Sequence, residues 1–314
     1  MMKKTISVML GVILSVALVS APKLLKAADG GPESRGITVV PPNFELYANP
    51  GEGITEKLRV KNESSVQSTF QIVVEDFKAQ GEDGGVELVD KEQSNSTFSL
   101  AKWIEPDVKT LTLGPGEEKA LNFRVNVPKD AEPGGHYASI LVSMGGDGNL
   151  NTSGASVASR IGSLVLLRVS GNVKEETTVE SFTAPKYSEK APVNFGLRVK
   201  NAGNNHVRPK GTIVITDIFG RKVAEVPLNG LNVLPNNTIR KMDTEWKHDG
   251  LLANRYTATL VATYGQQNKP LSASVSFIVF PKPLAAATAV GIVVLGLVVV
   301  KRDKVKKILH NLTK

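Results

Sequence analysis

Side chains that commonly do chemistry are sparse in this chain. There is no cysteine, and the four histidines are His136, His206, His248 and His310. They lie far apart. His136, His206 and His248 each sit beside a Gly, Asn or Asp, which suits a turn residue better than a general base. Nucleophilic catalysis needs an activated Ser, Thr or Cys beside a base, and no Gly-x-Ser-x-Gly elbow is present. Asp147-Gly148-Asn149-Leu150-Asn151 copies the start of a calcium loop. The glycine due after its third ligand is missing and Ala158 stands where the closing Glu belongs, so the segment reads as a flexible loop. Glu117-Glu118 reads as a solvated turn pair, and four Asn-x-Ser/Thr sequons carry no assignment. Trp103 suits either stacking on a sugar ring or packing in a core. The candidate ligand-contacting residues are therefore Trp103, Asp83, Asp147 and Asn149. No catalytic, cofactor-binding or metal-binding residue is assigned, and no cofactor is expected.

The elements that would carry these residues are strands. Leu58-Arg59-Val60-Lys61-Asn62 recurs as Leu197-Arg198-Val199-Lys200-Asn201. In both copies apolar and polar side chains alternate, the period of a strand with one buried face. Both copies stop at Asn followed by small polar residues, which is turn chemistry. Leu113-Gly114-Pro115-Gly116 then matches Leu234-Pro235-Asn236-Asn237, and Tyr137 matches Tyr256, each read as a structural tyrosine. The first copy carries roughly twenty extra residues, assigned to a polar insertion near 80–106 that includes Gly81-Glu82-Asp83-Gly84-Gly85. Asp217-Ile218-Phe219-Gly220 between two apolar runs predicts a hairpin. The expected fold is all-β, two tandem Ig-like β-sandwich domains over 36–172 and 173–280.

The ends read as topogenic. Lys3 and Lys4 precede an apolar run from Ile6 to Ala21, which predicts a signal peptide over 1–27. Cleavage after Ala27, cleavage after Ala21 and an uncleaved anchor all stay open. Leu284–Val300 holds no charge and predicts a single C-terminal transmembrane helix over 284–300. A basic tail over 301–314 follows, with Lys301, Arg302, Lys304, Lys306 and Lys307 beside the span, so it is expected in the cytoplasm. Val305, Ile308, Leu309 and Leu312 fall at helical spacing and suit either the anionic inner leaflet or a disordered tail. The chain's net charge is +8. Residues 1–27 hold four Lys, and the tail holds six Lys or Arg and one Asp, which leaves −1 for the remainder. The basic balance is topogenic and gives no reason to expect a nucleic-acid partner. Lacking cysteine, the exported part has no disulfides and must rely on its cores.

Pro41-Pro42-Asn43-Phe44, Pro50-Gly51, Leu113-Gly114-Pro115-Gly116-Glu117, Val127-Pro128 and Pro133-Gly134-Gly135-His136-Tyr137 follow one another along the first copy. This order resembles the bacterial cell-surface Ig-like proteins related to the WxL-interacting protein family. The resemblance implies a signal peptide, two Ig-like domains, one C-terminal span and a basic tail. It also implies peptidoglycan binding by the first domain and partner binding by the second, with no binding residue carried over. The expected function is a non-catalytic, membrane-anchored surface protein that binds cell-wall polymer or another exported protein. Its bulk lies outside the cytoplasmic membrane, and it recognises its ligand through a sheet edge or the loops 80–96 and 145–156. The alternative is a tethered extracytoplasmic chaperone or assembly factor for exported subunits, in the manner of two-domain pilus chaperones. Two cationic residues in an inter-domain cleft would favour it. A hydrolase would need three polar groups converging in a pocket.

Overall fold

The computed structural model describes residues 36–94, 96–144, 160–248 and 253–300. The first module holds β1 (Ile37–Val40), β2 (Asn43–Ala48), β3 (Gly53–Asn62), β4 (Ser68–Gln80), β5 (Gly85–Val89), β6 (Ile104–Pro106), β7 (Thr110–Leu113), β8 (Glu118–Asn126), β9 (Gly134–Met144) and β10 (Arg160–Val169). One sheet runs β1-β3-β8-β6 and the facing sheet β2-β10-β9-β4-β5, with β7 also on β4. The alternation in sequence sets which face is inward. Leu58, Val60, Leu121, Phe123 and Val125 from one sheet meet Ile72, Ala138, Ile140, Val142, Val165 and Leu167 from the other in a single core.

The second module holds β11 (Thr177–Thr183), β12 (Tyr187–Ser188), β13 (Val193–Asn201), β14 (Lys210–Asp217), β15 (Lys222–Pro227), β16 (Thr238–Lys241), β17 (Thr244–Trp246), β18 (Asn254–Tyr264) and β19 (Lys269–Val279). Its sheets run β11-β13-β16, with β17 also on β13, and β12-β19-β18-β14-β15. Phe195, Leu197, Val199, Ile213, Ile215, Trp246, Tyr256, Leu260 and Phe277 form its separate core. The predicted hairpin joins β14 to β15. Asp217 accepts from Phe219 N at 2.9 Å and Arg221 N at 3.0 Å, which closes the turn.

The repeated pentapeptide is the same strand twice, β3 and β13. Leu58, Val60, Leu197 and Val199 are fully buried, and so are the two terminal asparagines, Asn62 and Asn201. Asn62 Nδ2 donates to Val66 O, Leu113 O and Gly114 O, while its Oδ1 accepts from Ser64. Asn201 Nδ2 donates to Asn205 O and Val233 O, while its Oδ1 accepts from Gly203 N. Each asparagine therefore ties its strand to a turn arriving from far along the chain. Leu113 corresponds to Val233, one position before the leucine expected from sequence.

The modules also share a strand that changes sheets. In the first, β1 is antiparallel to β3, then the chain crosses over and β2 runs parallel to β10. In the second, β11 pairs with β13 and β12 runs parallel to β19.

The tyrosine equivalence fails. Gly134 pairs with Val169 and Asn254 with Val279, so the strand position of Tyr256 is that of His136. Tyr256 points into its core, while Tyr137 belongs to a separate small cluster on the opposite face of β9. Successive strand residues face opposite sides, so a shift of one reverses the assignment.

A final helix, α1 (Lys282–Val300), coincides with the predicted span. Its Ile292, Val293, Leu295 and Leu297 are exposed. Among the described residues, however, no helix is long and apolar enough to cross a membrane. Lys282 and Pro283 open the helix, and the apolar remainder of seventeen residues rises only about 26 Å against a hydrocarbon layer of roughly 30 Å. The helix is present, but the transmembrane crossing and the single-pass anchoring are not supported. The predicted signal peptide and basic tail, with Lys3, Lys4, Lys301, Arg302, Lys304, Lys306 and Lys307, lie outside the described residues.

Candidate functional site: the inter-module cleft

The site begins with residues that leave their own cores. Phe77 on β4, Tyr137 on β9 and Leu166 on β10 face outward from the first sandwich, yet all three are buried. They form a small apolar cluster joined by Leu234 of the second module. Tyr137 OH accepts from His206 N at 2.8 Å and is hydrogen-bonded to His206 Nδ1 at 3.2 Å. Burial pushes the His206 pKa down to about 4, against the opposing charge of Glu45 and with Arg168 and Arg208 adding to the shift, so its imidazole is neutral. Burial also pushes the Tyr137 hydroxyl up, which keeps it protonated. Two further bonds run alongside: Gly135 N donates to Asn204 O at 2.8 Å, and Asn204 Nδ2 donates to Pro133 O at 3.0 Å.

The linker adds a second seam. Arg168 at the end of β10 pairs with Glu175 at 2.6 Å. Gln266 N donates to the same carboxylate at 3.1 Å, and Lys269 Nζ donates to Glu175 O at 3.0 Å. Glu175 is buried, and three donors from both modules supply what burial removes.

The third seam is the turn between β4 and β5. Glu82 forms a bidentate pair with Arg198, with Nε to Oε2 at 2.7 Å, and its backbone oxygen accepts from Lys241 N at 2.8 Å. The hydrogen bond from Arg198 holds the Glu82 carboxyl below the usual carboxylate range. Asp83 stands 3.8 Å from Lys241 Nζ and is otherwise open to solvent.

Between the seams lies a cleft of about 230 Å³. Phe77, Val86, Leu164, Leu166, Leu234 and Ile239 give it apolar walls, and Arg208 and Arg240 are its cations. Glu45 neutralises Arg208 at 3.0 Å, and Asn232 accepts from Arg208 Nε at 3.2 Å. Arg240 differs. Its Nε is buried with no hydrogen-bond partner, and among the described residues it has no ion-pair partner. Gly84, at φ +88°, makes room for it, since a Cβ there would lie 1.2 Å from Arg240 Nη1. An apolar cleft holding one unpaired guanidinium suits a segment with apolar side chains and a carboxylate.

The structure scatters the residues singled out from sequence. Asp83 reaches this site at its rim. Trp103 does not: it packs partly buried on the first core, its ring 4.4 Å from that of His136. His136 is enclosed by the carbonyls of Glu132 and Ser99. Asp147 and Asn149 lie outside the described residues. Asp76 was missed. Buried on β4, it accepts from Ser99 Oγ, Leu100 N and Ala101 N, and so anchors the insertion that carries Trp103. Arg240, His206 and Asn204 were missed too, because their roles depend on contacts between modules. The one signal pointing there was the Gly-Glu-Asp-Gly-Gly turn.

No family model and no curated protein matches this chain. Similar solved structures exist, at low identity. The chaperone–tip adhesin complex of CFA/I fimbriae aligns at 12% identity and TM-score 0.41, covering 77% of this chain and 98% of that one. The class 5 fimbriae chaperone CfaA gives 12% and 0.41, with 77% and 99% covered. The CsuC–CsuE chaperone–adhesin complex of Acinetobacter baumannii gives 12% and 0.37, with 77% and 98% covered. At TM-scores below 0.5 these likenesses assign neither a role nor a partner. They correct the resemblance drawn from the turn motifs. The similar structures are pilus chaperones rather than WxL-interacting proteins, because Pro-Gly and Leu-Gly-Pro-Gly turns recur wherever such strands must reverse. Peptidoglycan binding, which the resemblance implied, goes with it, and the expectation of cell-wall polymer binding is unsupported as well.

Proposed function

We propose that the protein is a non-catalytic extracytoplasmic chaperone or assembly factor, which holds a segment of another exported protein in the cleft between modules 36–172 and 173–280. The observation that carries this reading is Arg240, an unneutralised guanidinium in an apolar inter-module cleft. A buried donor without an acceptor costs about 1–3 kcal/mol, and an incoming carboxylate relieves that cost. The apolar walls would hold the residues next to it. A wholly polar ligand gains nothing from walls of Phe, Val, Leu and Ile, so an apolar peptide fits better than a sugar polymer.

The test uses octapeptides alternating Val and Thr, with a free C-terminal carboxylate or its amide, titrated onto the full chain. The carboxylate form is expected to bind at least tenfold more tightly, and Arg240→Gln to abolish the difference while leaving the unfolding midpoint in place. Equal binding of both forms, or a difference that survives Arg240→Gln, overturns the reading.

A further inference from the structure

The two modules differ at one sheet edge. In the first, β2 covers β10 over six residues, with Asn43–Ala48 against Leu164–Val169. Its inward Phe44, Leu46 and Ala48 are buried in the core, and Phe44 meets Phe123 edge-on at 5.1 Å. In the second, β12 covers only Ile278 and Val279 of β19. Val169 and Val279 hold the same place, so Ser274–Phe277 corresponds to the covered Leu164–Leu167. Among the described residues no strand covers it. β11 stays in the other sheet, paired with β13 as far as Thr183. An open groove of about 490 Å³ remains between Thr177–Phe182 and Pro270–Ser274.

This edge is equipped to accept a strand. Ile278 N donates to Lys186 O and Phe280 N to Ser188 O, so even-numbered residues direct their backbone groups away from β18. Ser272, Ser274 and Ser276 share that parity, and among the described residues their backbone groups on this side have no partner strand. Charge does not guard the edge either. It reads Ser-Ala-Ser-Val-Ser over 272–276, with Lys269 and Pro270 only at the start of the strand, whereas β15 on the far edge of the same sheet carries Lys222, Glu225 and Pro227 along its length. Lysine, other charges and proline are the usual protection of an exposed edge. Val179, Phe182 and Val275 pack against the core here but remain only half-buried.

We infer that the β19 edge binds one extended segment of a partner protein, added parallel to β19 beside Ser272–Ser276, short of β12, as β2 is added to β10 in the first module. Its chemistry follows from the alternation of β2: about five residues, roughly 17 Å, with apolar side chains at alternate positions turned toward Val275 and Phe182. Main-chain bonds to Ser272, Ser274 and Ser276 supply the affinity, and the alternation supplies the selectivity. The cleft is lined by no residue of β19, so the two sites succeed or fail separately.

The probe is a nonapeptide with the sequence of residues 42–50, Pro-Asn-Phe-Glu-Leu-Tyr-Ala-Asn-Pro, added to the full chain while amide exchange is followed. A peptide of the same composition with its apolar residues moved by one position is the comparison. Exchange at Ser272, Ser274 and Ser276 is expected to slow at least tenfold with the first peptide and not with the second. Ser274→Pro removes one edge donor while sparing the ladder to β18, and should weaken binding at least tenfold with the unfolding midpoint unchanged. Ser276→Pro, of the same parity, serves if Ser274→Pro does not fold. Three outcomes overturn the inference: protection confined to the cleft or to β10, binding indifferent to either proline, or slow exchange at these serines produced by self-association without peptide.

Discussion

The arginine of the repeated pentapeptide does different work in its two copies. Arg59 lies on an exposed face, 3.4 Å from Glu118 of the neighbouring strand. Arg198 grips Glu82 in the other module. Alternation alone placed both side chains on the solvent face. What it could not show is that a second sandwich would come to cover one of them. The paired asparagines were equally half-legible. Their turn-forming character was plain, but their buried acceptors come from 51 residues away in one copy and 32 in the other. Asn201→Ala should cost about 2–3 kcal/mol, since it strands the Asn205 carbonyl and the Gly203 N–H and leaves Val233 O only its bond from Val207 N. Arg59→Ala should stay within about 0.5 kcal/mol, as exposed pairs do. Urea unfolding of both variants checks this, and a similar small loss for Asn201→Ala would show that water replaces the asparagine.

At the scale of elements, strands with strict alternation were legible. β3, β8, β13 and β18 fall where Leu, Phe, Val or Tyr repeats at every second position. The insertion was recognised by its polarity, but not what it forms. Its glycine-rich turn closes β4 onto β5 and lies against β16. Two of its glycines separate local strain from contact. Gly81, at φ +65°, has open space where a side chain would go, while Gly84, at φ +88°, abuts the Arg240 guanidinium. Gly81→Ala should cost only the backbone term of about 1–2 kcal/mol. Gly84→Ala should cost that and also displace Arg240, so that it loses the preference for the carboxylate peptide as Arg240→Gln does. If both glycine variants bind alike, the turn does not position the guanidinium.

For the whole molecule, the two-sandwich plan was readable because it rests on a duplicated pattern. The cleft was not, because a surface shared by two modules leaves no period in either. The contact at its centre carries a pH dependence. His206 titrates near 4 when folded and near 6.5 when unfolded. Its contribution is complete above about 6.5 and drains away as pH falls toward 4, because the unfolded chain gains the proton first. The slope from this one group is at most about 1.4 kcal/mol per pH unit. Unfolding measured at pH 7, 5.5 and 4 should therefore show a steeper acid loss for the native chain than for His206→Asn. Parallel pH profiles would mean that the histidine is not held neutral by its burial against Tyr137.

Glu82 and Arg198 stand 116 positions apart in the chain. Synthesis runs from the N-terminus, and domains generally fold as units in that order. The first module can therefore complete its core while the residues that will close the cleft do not yet exist. Arg240 is supplied later still, on β16. Until then the outward faces of Phe77, Tyr137 and Leu166 are uncovered, a transient apolar patch that only the second module shields. The cleft is thus a late-maturing feature, and a chain interrupted before residue 241 would have a complete first core and an unfinished, aggregation-prone flank.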